Sequence, residues 1–474
     1  MKKISFLFIL NLCFLSGCSG IKKFSNFEYP NFILILADDQ GWNGTSVQMM
    51  DNQPLSKSDY HQTPNLEILA SNGMRFSSAY ASAPVCSPSR YSIQFGQTPA
   101  RLQMIRVGMN TSHINHKTEY TIPKLLRKVN PLYKTAHFGK WGIDAHPSEL
   151  GYNESDGITR NKDGGFNHMN NKKQWQNNIS DDPKKIFSIT ERAISFIQEQ
   201  ADNKTPFFMQ ISHYAVHSDL MMRKESLIKY KNKSKGIYQK NAGFAAMTED
   251  LDFGVGMIIN KLKSLGLNKN TYIIYTSDNG AVPVMPPRPK YKESSNFPLS
   301  RGKWDAFEGG IRVPFIISGP GIEKSSQSTT PISFSDILPT IVDLAGYNGN
   351  WNGKIDGGSF KNILKNKTEK VIKRSTNGLV FHVPYENGIA LKRAHSSIII
   401  DQFKLIKFHD NNDIQLFDLK NDIQEKNNLL ISMPLKARFL EKTLNNYLSR
   451  VRAPKWKPGI TWKSNPLKNI NSYH

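Results

Sequence analysis

Cys86 opens the string Cys86-Ser87-Pro88-Ser89-Arg90 and is one of three cysteines in the chain. The other two, Cys13 and Cys18, fall in or just after an apolar stretch at the N-terminus. With that stretch removed, Cys86 has no partner for an intramolecular disulfide. A small buried hydrophobe is one account of such a residue. The neighbouring Ser, Pro, Ser and Arg make a poor core segment, which points instead to chemistry at the sulfur. Two acidic pairs are the second feature. Asp38-Asp39 and Asp278-Asn279 each follow an apolar run directly. Either pair alone reads as a turn or a helix cap. Both together, with the Cys86 string between them in sequence, suggest oxygen ligands converging on one hard cation such as calcium.

The elements that must position these residues follow from apolar periodicity. Residues 32–37, 206–212, 272–276 and 313–318 are apolar runs of strand length, as expected for strands buried on both faces. Helical patterns alternate with them. Thr63-Pro64 starts one that Gly73 would close; 186–200 and 247–265 are two more. Alternating strands and helices predict a mainly parallel sheet with helices on both faces. Ligands of open α/β sheets bind outside the carboxyl ends of the strands, where both acidic pairs fall. From about residue 375 the pattern changes to short strands at 396–400, 403–408 and 414–419, with a turn at 410–413 and a helix at 434–450. This predicts a smaller antiparallel sheet. The Lys- and Pro-rich tail after 453 is expected to be loosely ordered.

The N-terminus sets the compartment. Lys2 and Lys3 precede a run at 4–15 that is too short to span a bilayer, which takes about 20 residues. Leu15-Ser16-Gly17-Cys18 resembles a bacterial lipobox, which implies lipidation of Cys18 and an exported lipoprotein anchored to the cell envelope. Lys plus Arg number 62 against 39 Asp plus Glu, a formal charge of +23. Such a field suits a polyanionic partner, although a uniformly Lys-rich surface gives the same total. Export and the lack of zinc-finger, helix-turn-helix or RNA-binding signatures argue against nucleic acid.

Beyond Cys86, further blocks fall in order along the chain. They are Leu36-Ala37-Asp38-Asp39-Gln40-Gly41-Trp42, Phe138-Gly139-Lys140-Trp141, Ala215-Val216-His217, Thr276-Ser277-Asp278-Asn279-Gly280, Gly302-Lys303 and Glu308-Gly309-Gly310-Ile311-Arg312-Val313-Pro314. With Cys86-Ser87-Pro88-Ser89-Arg90 they resemble the formylglycine-dependent (type I) sulfatases over residues 31 to 430. The resemblance implies an α/β, alkaline-phosphatase-like mainly parallel sheet flanked by helices, with a smaller C-terminal antiparallel α+β subdomain. It divides the chain into a signal peptide (1–17), a tether (18–30), a catalytic domain (31–370), a C-terminal subdomain (371–452) and a basic tail (453–474). It implies one Ca2+ held by Asp38, Asp39, Asp278, Asn279 and the modified Cys86. Cys86 would be oxidised to formylglycine by a maturation enzyme that reads Pro88 and Arg90. Lys140, Lys303 and Arg90 would neutralise the sulfate oxygens, and His217 and Lys303 would protonate the leaving oxygen or contact the sulfate.

One block departs from the family. Gly142 stands after Gly139-Lys140-Trp141 where the family has histidine. His146 is close enough in sequence to be tested as its replacement. The expected reaction is removal of sulfate from a sulfated polysaccharide or oligosaccharide, with algal cell-wall glycans such as ulvan or carrageenan first and host glycosaminoglycans second. A phosphodiester or phosphonate hydrolase on the same fold, and a non-catalytic sulfated-glycan-binding lipoprotein, are the alternatives.

Overall fold

The computed structural model describes residues 29–461 apart from 170, 286–294, 352, 367–370, 388–390 and 392. The signal peptide, Cys18, the tether up to residue 28 and the tail from 462 lie outside the described residues.

Strand β1 (Asn31–Ala37) explains why the apolar runs become interior strands. Its side chains alternate between two cores, Phe32, Leu34 and Leu36 on one side and Ile33, Ile35 and Ala37 on the other. A strand apolar on both faces needs cover on both faces. Together with β2 (Gly73–Phe76), β3 (Lys134–Gly139), β4 (Glu154–Ser155), β5 (Phe207–Ser212), β6 (Thr271–Ser277), β7 (Phe315–Ser318) and β8 (Ser326–Ser328) it forms one sheet. The strand order is β8-β2-β7-β6-β1-β5-β3-β4. Helices α1 (Pro64–Ser71), α3 (Ile186–Asp202) and α4 (Ala242–Ser264) cover one face. Helices α2 (Cys86–Phe95) and α5 (Ile337–Leu344) cover the other.

The mainly parallel sheet read from the sequence is present. Strand β7 differs: it starts at Phe315 rather than 313 and runs antiparallel to both β6 and β2. Pro314 has no N–H for a ladder, and the Val313 N–H donates to Ala79 O at 3.0 Å. Gly73 does not close α1; it begins β2. A Cβ there would lie 2.2 Å from Ile317 O, so glycine permits the close approach of β7. Helix α4 starts five residues before the expected 247, because Asn241 caps it by accepting from Phe244 N–H at 2.9 Å.

The C-terminal sheet runs β9 (Leu379–Val383), β10 (His395–Ile400), β11 (Phe403–Phe408) and β12 (Ile414–Asp418), each antiparallel to the next. Its outer face packs Ile398, Leu405 and Leu416 on Leu440 and Leu444 of α6 (Pro434–Arg450). Its inner face contributes Phe381, Ile399 and Ile406 to the core of the large sheet. The two parts therefore share a core. Among the described residues, no helix is long and apolar enough to cross a membrane.

A buried ion network reinforces that junction. Lys404 of β11 is fully buried and lies 2.9 Å from Glu308 Oε1 and 2.8 Å from Glu425 Oε1. Glu308 in turn accepts from Arg312 Nε at 2.6 Å and from Tyr80 at 3.1 Å. Removing Lys404 leaves Glu425 buried without its cation and Glu308 with Arg312 alone. Lys404→Met should therefore destabilise the fold by about 3–5 kcal/mol, read as a lower denaturation midpoint in urea. A loss below about 1 kcal/mol would show that the network does not hold the junction.

Candidate active site

The parallel order of β6, β1, β5 and β3 brings four loop starts to one edge of the sheet. Asp38 and Asp39 follow β1, Asp278 and Asn279 follow β6, His217 lies shortly after β5, and Lys140 follows β3. Ala37 pairs with Ser277, so Asp38 and Asp278 emerge side by side. Gly139 has φ +90, and a Cβ there would lie 2.1 Å from Ser212 O, so glycine lets β3 close on β5 just before Lys140. Asp39 adopts a left-handed backbone with φ 61. A non-glycine residue held this way is strained, as is common where function dictates direction.

Helix α2 presents Cys86 as its first residue, after an extended Val85, and all ten of its residues are buried. Cys86 is a free thiol, 3% exposed. Arg90 lies one turn later on the same face. Its Nε and Nη2 both donate to Asp278 Oδ2, at 2.9 and 2.7 Å, and its Nη1 donates to the Lys140 carbonyl. Arg90 thus grips a carboxylate of the site. These three hydrogen bonds use three of the five guanidinium N–H groups and fix its plane against Asp278.

Three carboxylates meet here. Oxygens of Asp38, Asp39 and Asp278 all lie within 4.8 Å of one another. Lys140 donates to Asp38 Oδ2. Lys303 donates to Asp39 Oδ2 at 2.7 Å, and Asn279 Nδ2 to Asp39 Oδ1 at 2.8 Å. Two oxygens are left over: Asp38 Oδ1 and Asn279 Oδ1 are buried and accept no hydrogen bond. Buried oxygens without donors are costly unless something else pairs them. Carboxylate and amide oxygens are what a hard divalent cation takes, so the residues fit a metal ion of that class.

The electrostatics agree. Burial alone would raise the Asp38 carboxyl, but Lys140 together with the other basic groups around it holds it below the usual carboxylate range. For Asp39, Lys303 and its basic neighbours do the same against burial. Asp278 is pushed up by burial and by the Asp38 charge, despite the Arg90 grip. A cation among the three relieves this repulsion. Burial works against the Lys303 charge, yet the adjacent Asp39 carboxylate holds the ammonium well above its ordinary value. Burial lowers His217 to about 4, so its ring is neutral at neutral pH. Its Nδ1 lies 2.5 Å from Ser218 O, which assigns the proton to Nδ1 and leaves a lone pair on Nε2, 3.6 Å from Asp39 Oδ2.

The site opens into a cleft of about 1410 Å³ lined in part by Ser87, Lys140, Gly142, Val107, Asn110 and Phe166. A Cβ at Gly142 would lie 3.1 Å from Arg90 Cδ and 3.8 Å from Ser87 Oγ, so position 142 does look onto the start of α2. His146 does not take its place. It is exposed and caps the turn Pro147–Leu150, with Nδ1 2.8 Å from Ser148 Oγ and its own N–H bound by Glu149. Its Nδ1 is thereby committed to the turn. Lys184 was not found from the sequence. It is 2% exposed and lies within electrostatic reach of Asp219, Asp38 and Asp39, and burial lowers its ammonium to about 8. Pro183-Lys184-Lys185 reads as a solvated charge run; the left-handed backbone at Lys184 and Lys185 turns it inward.

If the Arg90 fork orients Asp278 for a cation, Arg90→Lys keeps the charge and loses the two-donor geometry. Divalent-cation affinity should then fall about 10–100-fold, measured by equilibrium dialysis. Unchanged affinity would remove Arg90 from this role.

The comparisons with known proteins follow the same outline. The family described as Sulfatase matches residues 30–347, and N-sulphoglucosamine sulphohydrolase, C-terminal, matches 302–453. The N-acetylgalactosamine-6-sulfatase of Mus musculus is 29% identical over 69% of this chain, which spans 65% of that relative's length. An ulvan-active sulfatase of Formosa agariphila is 27% identical over 85% of this chain and 77% of its own. The solved structure of Ps i-CgsB in complex with k-i-k-neocarrahexaose superposes with a TM-score of 0.71, at 24% identity, covering 90% of this chain and 95% of that one. With one family matched across most of its length, a shared alkaline-phosphatase-like fold and the acidic centre at the strand ends, this chain belongs to the sulfatase family.

Proposed function

We propose that this protein is a sulfuric ester hydrolase that removes sulfate from a sulfated glycan, using formylglycine made from Cys86 and one calcium ion. The observation that carries the reading is the pair of donorless buried oxygens, Asp38 Oδ1 and Asn279 Oδ1, in a carboxylate centre flanked by lysines. A cation here would be held by Asp38, Asp39, Asp278 and Asn279 and would supply positive charge for sulfate oxygens, and formylglycine at position 86 would supply the nucleophile. The chain's own residues do the rest. The N-terminus of α2 favours negative charge beside residue 86. Lys140 and Lys303 bring two further positive charges to the sulfate. Lys303 stays protonated and would donate a hydrogen bond to the charge developing on the leaving oxygen, whereas neutral His217, with its proton on Nδ1, offers Nε2 as an acceptor for a group that carries a proton, such as a sugar hydroxyl.

For the substrate, the likeness to an ulvan-active sulfatase and the charge of +23 favour a sulfated algal polysaccharide. Ulvan and carrageenan are both of this class, and glycosaminoglycan oligosaccharides are the competing class. The lipobox-like Leu15-Ser16-Gly17-Cys18 supports an exported lipoprotein held at the cell envelope, matured by a formylglycine-generating enzyme. Gly142, with His146 exposed in a capping box, supports a second reading: a glycan-binding lipoprotein that has lost turnover.

The readings separate in one set of assays. Protein made with the maturation enzyme is offered sulfated oligosaccharides, an aryl sulfate and an aryl phosphate, and the tryptic peptide holding Cys86 is weighed. The proposal expects a thiol-to-aldehyde mass change and release of sulfate, and loss of both in Cys86→Ala. Aldehyde-free protein that still desulfates, or a clear preference for the phosphate ester, overturns it. Tight glycan binding without turnover supports the second reading.

A further inference from the structure

Arg106 is 5% exposed, and its guanidinium is only partly paired. Nη1 donates to Val107 O at 3.1 Å, which pins the plane of the group. The opposite edge is bare: Nε and Nη2 are buried and have no hydrogen-bond partner. A guanidinium does not shed its proton in a protein, so this edge is a buried charge with two unused donors. Buried charges of this kind are paired. Among the described residues, the polar groups of this neighbourhood are already engaged. Asp305, the carboxylate of the same neighbourhood, is bound by Arg301 Nε at 2.5 Å and by Leu391 N–H at 3.1 Å. Tyr385 uses its hydroxyl to donate to Ile105 O at 3.2 Å.

Its position relates the open edge to the active site. Tyr385 lies within electrostatic reach of both Arg106 and Cys86. Val107, the next residue along the chain, lines the same cleft as Ser87 and Lys140. The acidic centre itself has no need of another cation from the chain, since Asp38, Asp39 and Asp278 already have Lys140, Lys303 and Arg90.

We propose that the Nε–Nη2 edge of Arg106 is a second anion subsite, which receives a carboxylate or a second sulfate of the saccharide whose sulfate ester lies at Cys86. The proposal rests on the sulfatase reading. The chemistry is that of a planar fork facing two oxygens, which binds oxyanions bidentately and which lysine cannot reproduce. Arg106 is then a specificity residue: it selects doubly anionic sugars and takes no part in bond breaking.

The test compares three substrates: a neutral monosulfated disaccharide, the same disaccharide with a uronate, and the same disaccharide with a second sulfate. Arg106→Met and Arg106→Lys are assayed beside the wild type, with melting temperatures to confirm folding. For Arg106→Met, kcat/KM on one of the doubly anionic substrates should fall about 10²-fold further than on the monosulfated one, through KM. Arg106→Lys should recover only part of it. The substrate that suffers most identifies the group bound. Equal losses on all three, or no loss on any, overturn the subsite and make Arg106 a water-bridged structural residue. Calorimetric binding of the same disaccharides to Cys86→Ala and Cys86→Ala/Arg106→Met keeps the question separate from turnover. If the wild type releases no sulfate, the sulfatase reading fails. The subsite stands if binding of the doubly anionic sugar is at least tenfold weaker without Arg106, and falls if the affinities match.

Discussion

Negative charge packed at the ends of two adjacent strands sets the terms for the rest of this molecule. Asp38, Asp39 and Asp278 are buried with oxygens within 4.8 Å of one another. At that range each pair repels by about 4 kcal/mol even at an effective dielectric of about 20. Such a centre forms only if cations are brought to it from elsewhere in the chain. Lys140 comes from the strand beyond β5, Arg90 from α2, and Lys303 from a segment between β6 and β7. Each is itself buried, and each is held by the carboxylate it neutralises. What remains unbalanced is local: two oxygens without donors.

The scaffold answers to that centre. Two cores on the two faces of the sheet fix β1 and β6 in register, so that their next residues meet. The glycines at the edge serve contact distance more than flexibility. Gly139 admits the neighbouring strand just before Lys140, and Gly73 admits β7 on the far side. Helix α2 begins with Cys86, so one element supplies the buried thiol, a helix terminus suited to an anion, and the arginine that steadies Asp278.

Much of this was legible in the sequence because it is local. Apolar runs followed at once by acidic pairs placed Asp38, Asp39, Asp278 and Asn279 at strand ends, and short blocks carried Cys86, Lys140, His217 and Lys303. The rest depends on contacts between distant segments. The grip of Arg90 on Asp278 joins residues 188 apart in sequence. Lys184 looks solvated until two left-handed residues turn it inward. Arg106 lies in a stretch without a motif, and its open edge exists only because its surroundings are already paired. His146 is close to Gly142 in sequence, yet a capping box with Glu149 engages it at the surface. Strand β7 has the composition of its parallel neighbours, and a proline beside it changed where it could begin.

The central claim is that the leftover oxygens belong to a divalent cation. Calorimetric titration of metal-stripped protein with calcium at neutral pH tests it most directly. The account predicts one site per chain, abolished in Asp38→Asn and Asp39→Asn while both variants keep their fold. Absence of calcium binding by the folded wild type, or binding that survives both substitutions undiminished, would contradict it.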